Sequence, residues 1–277
     1  LPEDLYLKND KNFSAAKKFS LNGSQIKFLR DYSKKIKIKF LCTPFGIDKA
    51  VFLKKINVDG FKIASMDCLN SNLIKKYLSF KKPVFVSTGM LNQREMKYIF
   101  KKYKNAKNIF FLHCVSEYPT QNDKTGLGVL DFLKSNLGNK ALFGYSDHSI
   151  NNNNVKIAIA KGAKIIEKHF TLNNNMLGPD HKASLEPNEF KKMVEYLRIF
   201  EAMNGDGKKN LQKCELKNIY IARKSIVAKK FIKKNDVFSY MNLTTKRPGN
   251  GISPMKIVNL INKKAKKNFQ PDELIQI

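Results

Sequence analysis

The chain has 277 residues, with 52 Lys and Arg against 23 Asp and Glu, a formal net charge of +29. Hydrophobic residues make up 42% of it, enough for the core of one large domain or of a large and a small one. No apolar run approaches the ~20 residues that span a bilayer, which sets aside a helical membrane protein. The polar, mixed-charge residues 1–12 predict no secretory leader. Lysines are spread along the whole chain in pairs such as Lys17-Lys18, Lys54-Lys55 and Lys101-Lys102. Without a nucleic-acid-binding signature beside them, they read as solvated faces and not as a nucleic-acid footprint. Cys42, Cys68, Cys114 and Cys214 lie far apart with no CxxC pair, as expected of reduced thiols in a cytoplasmic protein.

Helical spacing first occurs at Gly23–Lys35, the one element expected before residue 38. Six short apolar runs then predict strands: Ile38–Thr43, Gly60–Ser65, Pro83–Thr88, Asn108–His113, Ala141–Ser146 and Ala163–His169. Helical spacing predicts helices over Asp48–Asn57, Ser71–Phe80, Asn92–Tyr103, Gly128–Asn136, Asn153–Lys161 and Pro187–Asn204. Asn92, with Glu95 three residues on, has the capping-box arrangement. The strands are rich in Ile, Val and Phe with little alternation, as parallel strands covered on both faces should be.

Strand–helix alternation allows a barrel or a doubly wound sheet. Thr43, Ser65, Thr88, His113, Ser146, His148, Glu167 and His169 fall at the C-terminal ends of the strands, which favours the barrel. A doubly wound sheet would gather them at one switch point, and no glycine-rich dinucleotide loop follows the first strand. Eight βα units would need about two more strands and one helix in front. The expectation is therefore a (β/α)8 TIM barrel lacking its N-terminal units over residues 1–207, a polar linker over 208–218 and a small β-rich domain over 219–277. In that last domain the β-like runs are Lys224–Ala228 and Asn242–Arg247, with a turn at Lys233–Asp236, a short helix over Pro254–Ile261 and a closing strand.

Two imidazoles at adjacent strand ends, His148 and His169, could share one divalent cation with open positions; the bland alternative is two unrelated polar residues. Lys62 sits inside the apolar run Phe61–Ser65, where an ammonium calls for an anion unless it reaches solvent along its stem. Asp180 could orient a sugar hydroxyl or merely stabilise a turn, and Tyr118 could stack in the same mouth. A serine hydrolase is not supported, because no Gly-x-Ser-x-Gly elbow occurs.

Seven motifs in order resemble the N-acetylneuraminate synthase family. They are Cys42-Thr43-Pro44-Phe45, Phe61-Lys62-Ile63-Ala64-Ser65, Val86-Ser87-Thr88-Gly89-Met90, Glu117-Tyr118-Pro119-Thr120, Gly144–His148, Glu167–Thr171 and Gly178–His181. The run Asn242–Pro254 resembles that family's antifreeze-like (SAF) domain. The likeness covers the chain from about residue 38 and implies a homodimer with swapped C-terminal domains.

The resemblance further implies phosphoenolpyruvate held by Thr43, Lys62, Ser65, Ser116 and Ser146. It places a divalent metal, usually manganese with magnesium or cobalt as alternatives, on His148 and His169. It assigns sugar contacts to Asp67, Tyr118, Asp180 and Arg247, and catalytic roles to Lys62, Asp67, Glu167 and Asp180. The implied reaction joins phosphoenolpyruvate and N-acetylmannosamine into N-acetylneuraminate and phosphate. Legionaminic or pseudaminic acid synthase is the alternative within the class, and a non-catalytic sugar-binding protein on the same scaffold the alternative outside it. Two departures stand out. Ser65-Met66-Asp67 replaces the family's usual Ser-Gly-Glu, and the first barrel strand and a second-strand lysine are absent. The expectation is a piece of a longer chain or an inactive fragment.

Overall fold

The computed structural model describes residues 7–8, 10, 13–138 and 141–276, so the leaderless start read over residues 1–12 lies mostly outside the described residues. The chain divides into two compact units, Leu1–Met203 and Asn204–Ile277. Among the described residues, no helix is long and apolar enough to cross a membrane.

Two helices open the first unit: α1 (Phe13–Phe19) and α2 (Gly23–Lys35). Only α2 is legible in the sequence, because the seven residues of α1 are too few to show a helical period. α2 begins with a capping box: the Asn22 side chain accepts the Gln25 N–H, and the Gln25 side chain accepts the Asn22 N–H. Strands and helices then alternate as β1 (Leu41–Cys42), α3 (Ile47–Lys55), β2 (Gly60–Ile63), α4 (Ser71–Leu78), β3 (Val84–Ser87), α5 (Gln93–Tyr103), β4 (Ile109–Cys114), α6 (Val129–Leu137), β5 (Phe143–Asp147), α7 (Asn153–Ala160), β6 (Ile165–Lys168) and α8 (Pro187–Asn204). The expected Asn92–Glu95 box caps α5, with both reciprocal bonds made.

The six strands form one parallel sheet in the order β1-β2-β3-β4-β5-β6. A doubly wound sheet reverses its order at a switch point; this one does not. Nor is it flat. Lys62 on β2 and Glu167 on β6 are four strand spacings apart, about 19 Å in a flat sheet, yet Lys62 Nζ lies 3.5 Å from Glu167 Oε1. The sheet therefore curves on itself so that the concave side chains of distant strands meet. Among the described residues it is a curved parallel sheet of six strands with no closing pair between β1 and β6.

On the convex side the strands contribute Phe61, Ile63, Val84 and Val86 to a core shared with the helices. Phe61 packs against Tyr77 of α4 at 5.4 Å between ring centres and against Phe80 at 5.3 Å. Gly144 on β5 sits so close to β6 that an added Cβ would lie 2.7 Å from the Ile165 Cβ. Overpacking of this kind typically costs about 1–3 kcal/mol. Gly144→Ala should lower the urea midpoint accordingly with an unchanged m-value, and an unaltered midpoint would refute the close approach.

The second unit pairs β7 (Ser225–Ala228) with β8 (Leu243–Lys246), antiparallel, over a core of Ile226, Phe238, Leu243, Leu260 and Phe269. Three expectations change here. The stretch read as a linker contains a 3-10 turn (Lys213–Glu215) running into helix α9 (Leu216–Ala222), started by a Gln212–Glu215 capping box. The helix expected over Pro254–Ile261 is 3-10 over Pro254–Asn259. The closing strand is reduced to isolated bridges, Ile232 with Phe269 and Val227 with Leu274. Pro271, which has no N–H for a ladder, stands between them.

Candidate active site

Side chains alternate across a strand, so register decides which of them face the concave side. Cys114, Ser146 and Glu167 are register partners on β4, β5 and β6, and two positions on from Ser146 and Glu167 come His148 and His169. The intervening residues, among them His113, Asp147 and Lys168, point the other way. His113, which the sequence places with the other strand-end histidines, is buried with Nε2 2.7 Å from the Thr125 carbonyl and its ring against Tyr145. Thr88 is also structural, since its hydroxyl donates to the Leu112 carbonyl.

The concave face holds a continuous polar group. The His148 and His169 rings are 5.2 Å apart at 67°. His148 Nδ1 is 2.7 Å from the Val115 carbonyl. A carbonyl only accepts, so Nδ1 carries the proton and Nε2 keeps its lone pair. This outer hydrogen bond is the arrangement that orients metal-binding histidines. Tyr118 covers both rings, at 4.1 Å from His148 and 5.6 Å from His169. Asp180 Oδ2 is 4.0 Å from His169 Nδ1. Ser146 Oγ donates to Glu167 Oε1 at 2.7 Å, and the Lys62 ammonium stands 3.5 Å from the same oxygen. Ser65 Oγ accepts the Gly89 N–H at 3.1 Å, and the Ser65 and Ser116 hydroxyls both crowd the space a Gly89 Cβ would fill.

Burial pushes the Tyr118 hydroxyl up to about 12, with Cys114 and the nearby carboxylates adding to it, so it stays protonated and can donate. Burial lowers His113, His148 and His169 below the usual imidazole value; at His169 the neighbouring His148 adds to this while Asp180 opposes it. Neutral imidazoles keep the lone pairs that a cation needs. Unfolded histidines take up protons near pH 6.5 and the folded ones only below that, so stability is full above about 6.5 and falls on acidification. The urea midpoint should therefore drop between about pH 7 and pH 5.5. His113→Gln should flatten that slope, and an equal slope in both proteins would refute the burial effect.

The NeuB family pattern matches residues 3–209, and the SAF domain pattern matches residues 223–277. The chain belongs to the NeuB family. It is 42% identical over 272 residues to N,N'-diacetyllegionaminic acid synthase of Campylobacter jejuni, covering 97% of this chain and 81% of that one. Pseudaminic acid synthase of the same species is 37% identical over 230 residues, 82% of this chain and 66% of the relative. A crystal structure of N-acetylneuraminic acid (sialic acid) synthetase from Leptospira borgpetersenii, in complex with citrate, has a TM-score of 0.73 at 32% identity, over 79% of this chain and 76% of that chain. As a NeuB family member the chain is an enzyme, a nonulosonic acid synthase. The match starts at residue 3, well ahead of the motifs that begin near residue 38.

The NeuB chain brings Lys62, Ser65, Ser116, Tyr118, Ser146, His148, Glu167, His169 and Asp180 to one face. Thr43, Asp67 and Arg247 are the remaining expected site residues. Thr43 lines an apolar cleft with Ile26, Phe40 and Phe52 beside α2. Asp67 sits in the 3-10 turn after β2, its carboxylate 3.5 Å from the Asn70 amide nitrogen. Arg247 is exposed in the second unit. Cys114 was not singled out by sequence, yet its thiol touches Ser65 Oγ at 3.5 Å; the signal was its register opposite Ser146. The His148–His169 pair is the group that could hold a divalent cation. Among the described residues, no three His, Cys, Asp or Glu side chains come together at ligand spacing, so other positions would fall to water or substrate oxygens.

Proposed function

We propose that this NeuB family enzyme condenses phosphoenolpyruvate with an open-chain 2-acetamido sugar to give a nonulosonic acid and phosphate. The carrying observation is the single concave face on which an ammonium, three hydroxyls and two neutral imidazoles converge. Lys62 and the hydroxyls of Ser65, Ser116 and Ser146 would hold the anionic reactant, which is positioning and electrostatics. Its enol carbon adds to the sugar aldehyde; water then adds at the carbon bearing phosphate, and phosphate leaves. Glu167 offers the carboxylate beside this centre, and Tyr118, protonated, donates toward sugar oxygens with Asp180.

His148, with Nε2 free, and His169 fit a divalent ion such as manganese, magnesium or cobalt, which when bound supplies Lewis acidity at the aldehyde oxygen. The roles of Thr43, Asp67 and Arg247 rest on the family resemblance, as does a homodimer in which the partner copy supplies Arg247. The sequential, curved sheet supports the (β/α)8 barrel as the parent fold. Four free thiols suit a reducing compartment, and the reading places the enzyme in the cytoplasm.

The motif resemblance points to N-acetylmannosamine, while the 42% identity to a legionaminic acid synthase favours its 2,4-diacetamido-6-deoxy counterpart. Incubation with phosphoenolpyruvate, manganese and either sugar, with phosphate release as readout, separates them. We expect release with the diacetamido sugar; release with N-acetylmannosamine alone would reverse the order, and none with either would overturn the function.

A further inference from the structure

Behind the strand tips that carry the two imidazoles lies a charge pair to which the proposed reaction gives no role. Asp147 and Lys168 are register partners across β5 and β6, and each immediately precedes one imidazole. Neither side chain is exposed, and Lys168 Nζ lies 2.6 Å from Asp147 Oδ2. Lys168 also donates to the Ser149 carbonyl, and stands 3.5 Å from Ser149 Oγ and from the Asn151 carbonyl. Asp147 Oδ1 accepts from the Tyr145 hydroxyl at 3.0 Å and from the Ser149 N–H at 2.9 Å, while Oδ2 takes the Ser149 hydroxyl at 3.1 Å.

Burying two opposite charges is at best break-even against apolar side chains of the same volume, so stability alone does not account for the pair. What it supplies is direction. An apolar contact can slide, whereas this network fixes three points at once: the tip of β5, the tip of β6 and the backbone at Ser149 and Asn151. His148 lies between two of those points, Asp147 and Ser149, and His169 follows the third. We infer that Asp147, Lys168 and Ser149 are positioning residues that hold the His148 and His169 rings at their 5.2 Å separation and so set the affinity of that pair for a divalent cation. The inference rests on the cation-holding reading of the two imidazoles given above.

The test uses the double variant Asp147→Asn/Lys168→Met, which removes both charges together and leaves no unpaired ion. Three readouts are compared with wild type: the thermal transition, Mn2+ uptake followed by the electron paramagnetic signal of the free ion, and the histidine ring signals in NMR spectra of the metal-free protein. The expected result is a cooperative transition, a Mn2+ dissociation constant raised about 10- to 100-fold, and displaced His148 and His169 signals with that of His181 unmoved. A folded double variant that binds Mn2+ within about twofold of wild type and shows unmoved His148 and His169 signals would overturn the inference.

Should the double variant not fold, Ser149→Ala decides. It keeps the charges and removes the Ser149 hydroxyl with its contacts to Asp147 Oδ2, the Asn151 carbonyl and Lys168 Nζ, for an expected weakening of about threefold to tenfold with the same two signals displaced. Unchanged affinity and unmoved signals would defeat the inference. A wild-type enzyme that takes up no Mn2+ sinks the cation reading instead, and the histidine signals of the metal-free variants then decide the positioning role alone.

Discussion

His148→Ala is expected to reduce phosphate release about 10³-fold while the protein still unfolds cooperatively. Lewis-acid stabilisation at a carbonyl is worth several kcal/mol, and each 1.4 kcal/mol is about tenfold in rate. The variant also strips the Val115 carbonyl of its Nδ1–H partner, a loss of about 1–3 kcal/mol if the oxygen stays dry. Stability and chemistry would then fall together, so a second substitution separates them. His148→Asn offers a short amide N–H to the same carbonyl but no nitrogen where Nε2 stood. Its thermal midpoint should recover toward wild type while phosphate release stays low. Recovery of both would show that the ring is only a brace. His113→Asn is the matched control, because that ring is equally buried but faces Thr125 from the opposite side of the strand. Its effect on release should be below about tenfold.

The same comparison shows how far sequence could go. Strand-end positions were legible because apolar runs stop abruptly at polar residues, and this drew His148, His169, Ser146 and Glu167 into one list. It drew in His113 and Thr88 as well, because a run's end does not reveal parity. Parity needs the register: Cys114 opposite Ser146 and Ser146 opposite Glu167 select one face, and that choice admits Cys114 and rejects His113. Curvature was equally hidden. Nothing in the spacing of β2 and β6 says that Lys62 reaches Glu167 across four strand intervals, since that depends on the summed twist and coil of the whole sheet. In the second unit, a polar composition concealed a helix start at Gln212, because capping uses the same residues as loops do.

Lys62→Met should lower kcat/KM for phosphoenolpyruvate about 10²- to 10³-fold, with KM rising more than kcat falls. Truncating one side of a hydrogen-bonded charge contact to a bound anion costs about 2–5 kcal/mol, and the anion is present in ground state and transition state alike, so the loss is mostly one of uniform binding. KM for the sugar should hold. Stability should fall only modestly, by about 1–2 kcal/mol: the contact with Glu167 is long, and the variant also removes the bond from Lys62 Nζ to the Ile63 carbonyl at 3.1 Å. A rival account is that Lys62 merely neutralises Glu167. The double variant Lys62→Met/Glu167→Gln decides between them, because removing the carboxylate should restore phosphoenolpyruvate binding under the rival account. If the ammonium serves the substrate, the double variant stays at least as impaired as Lys62→Met, and a KM returning to the wild-type value would assign Lys62 to its neighbour.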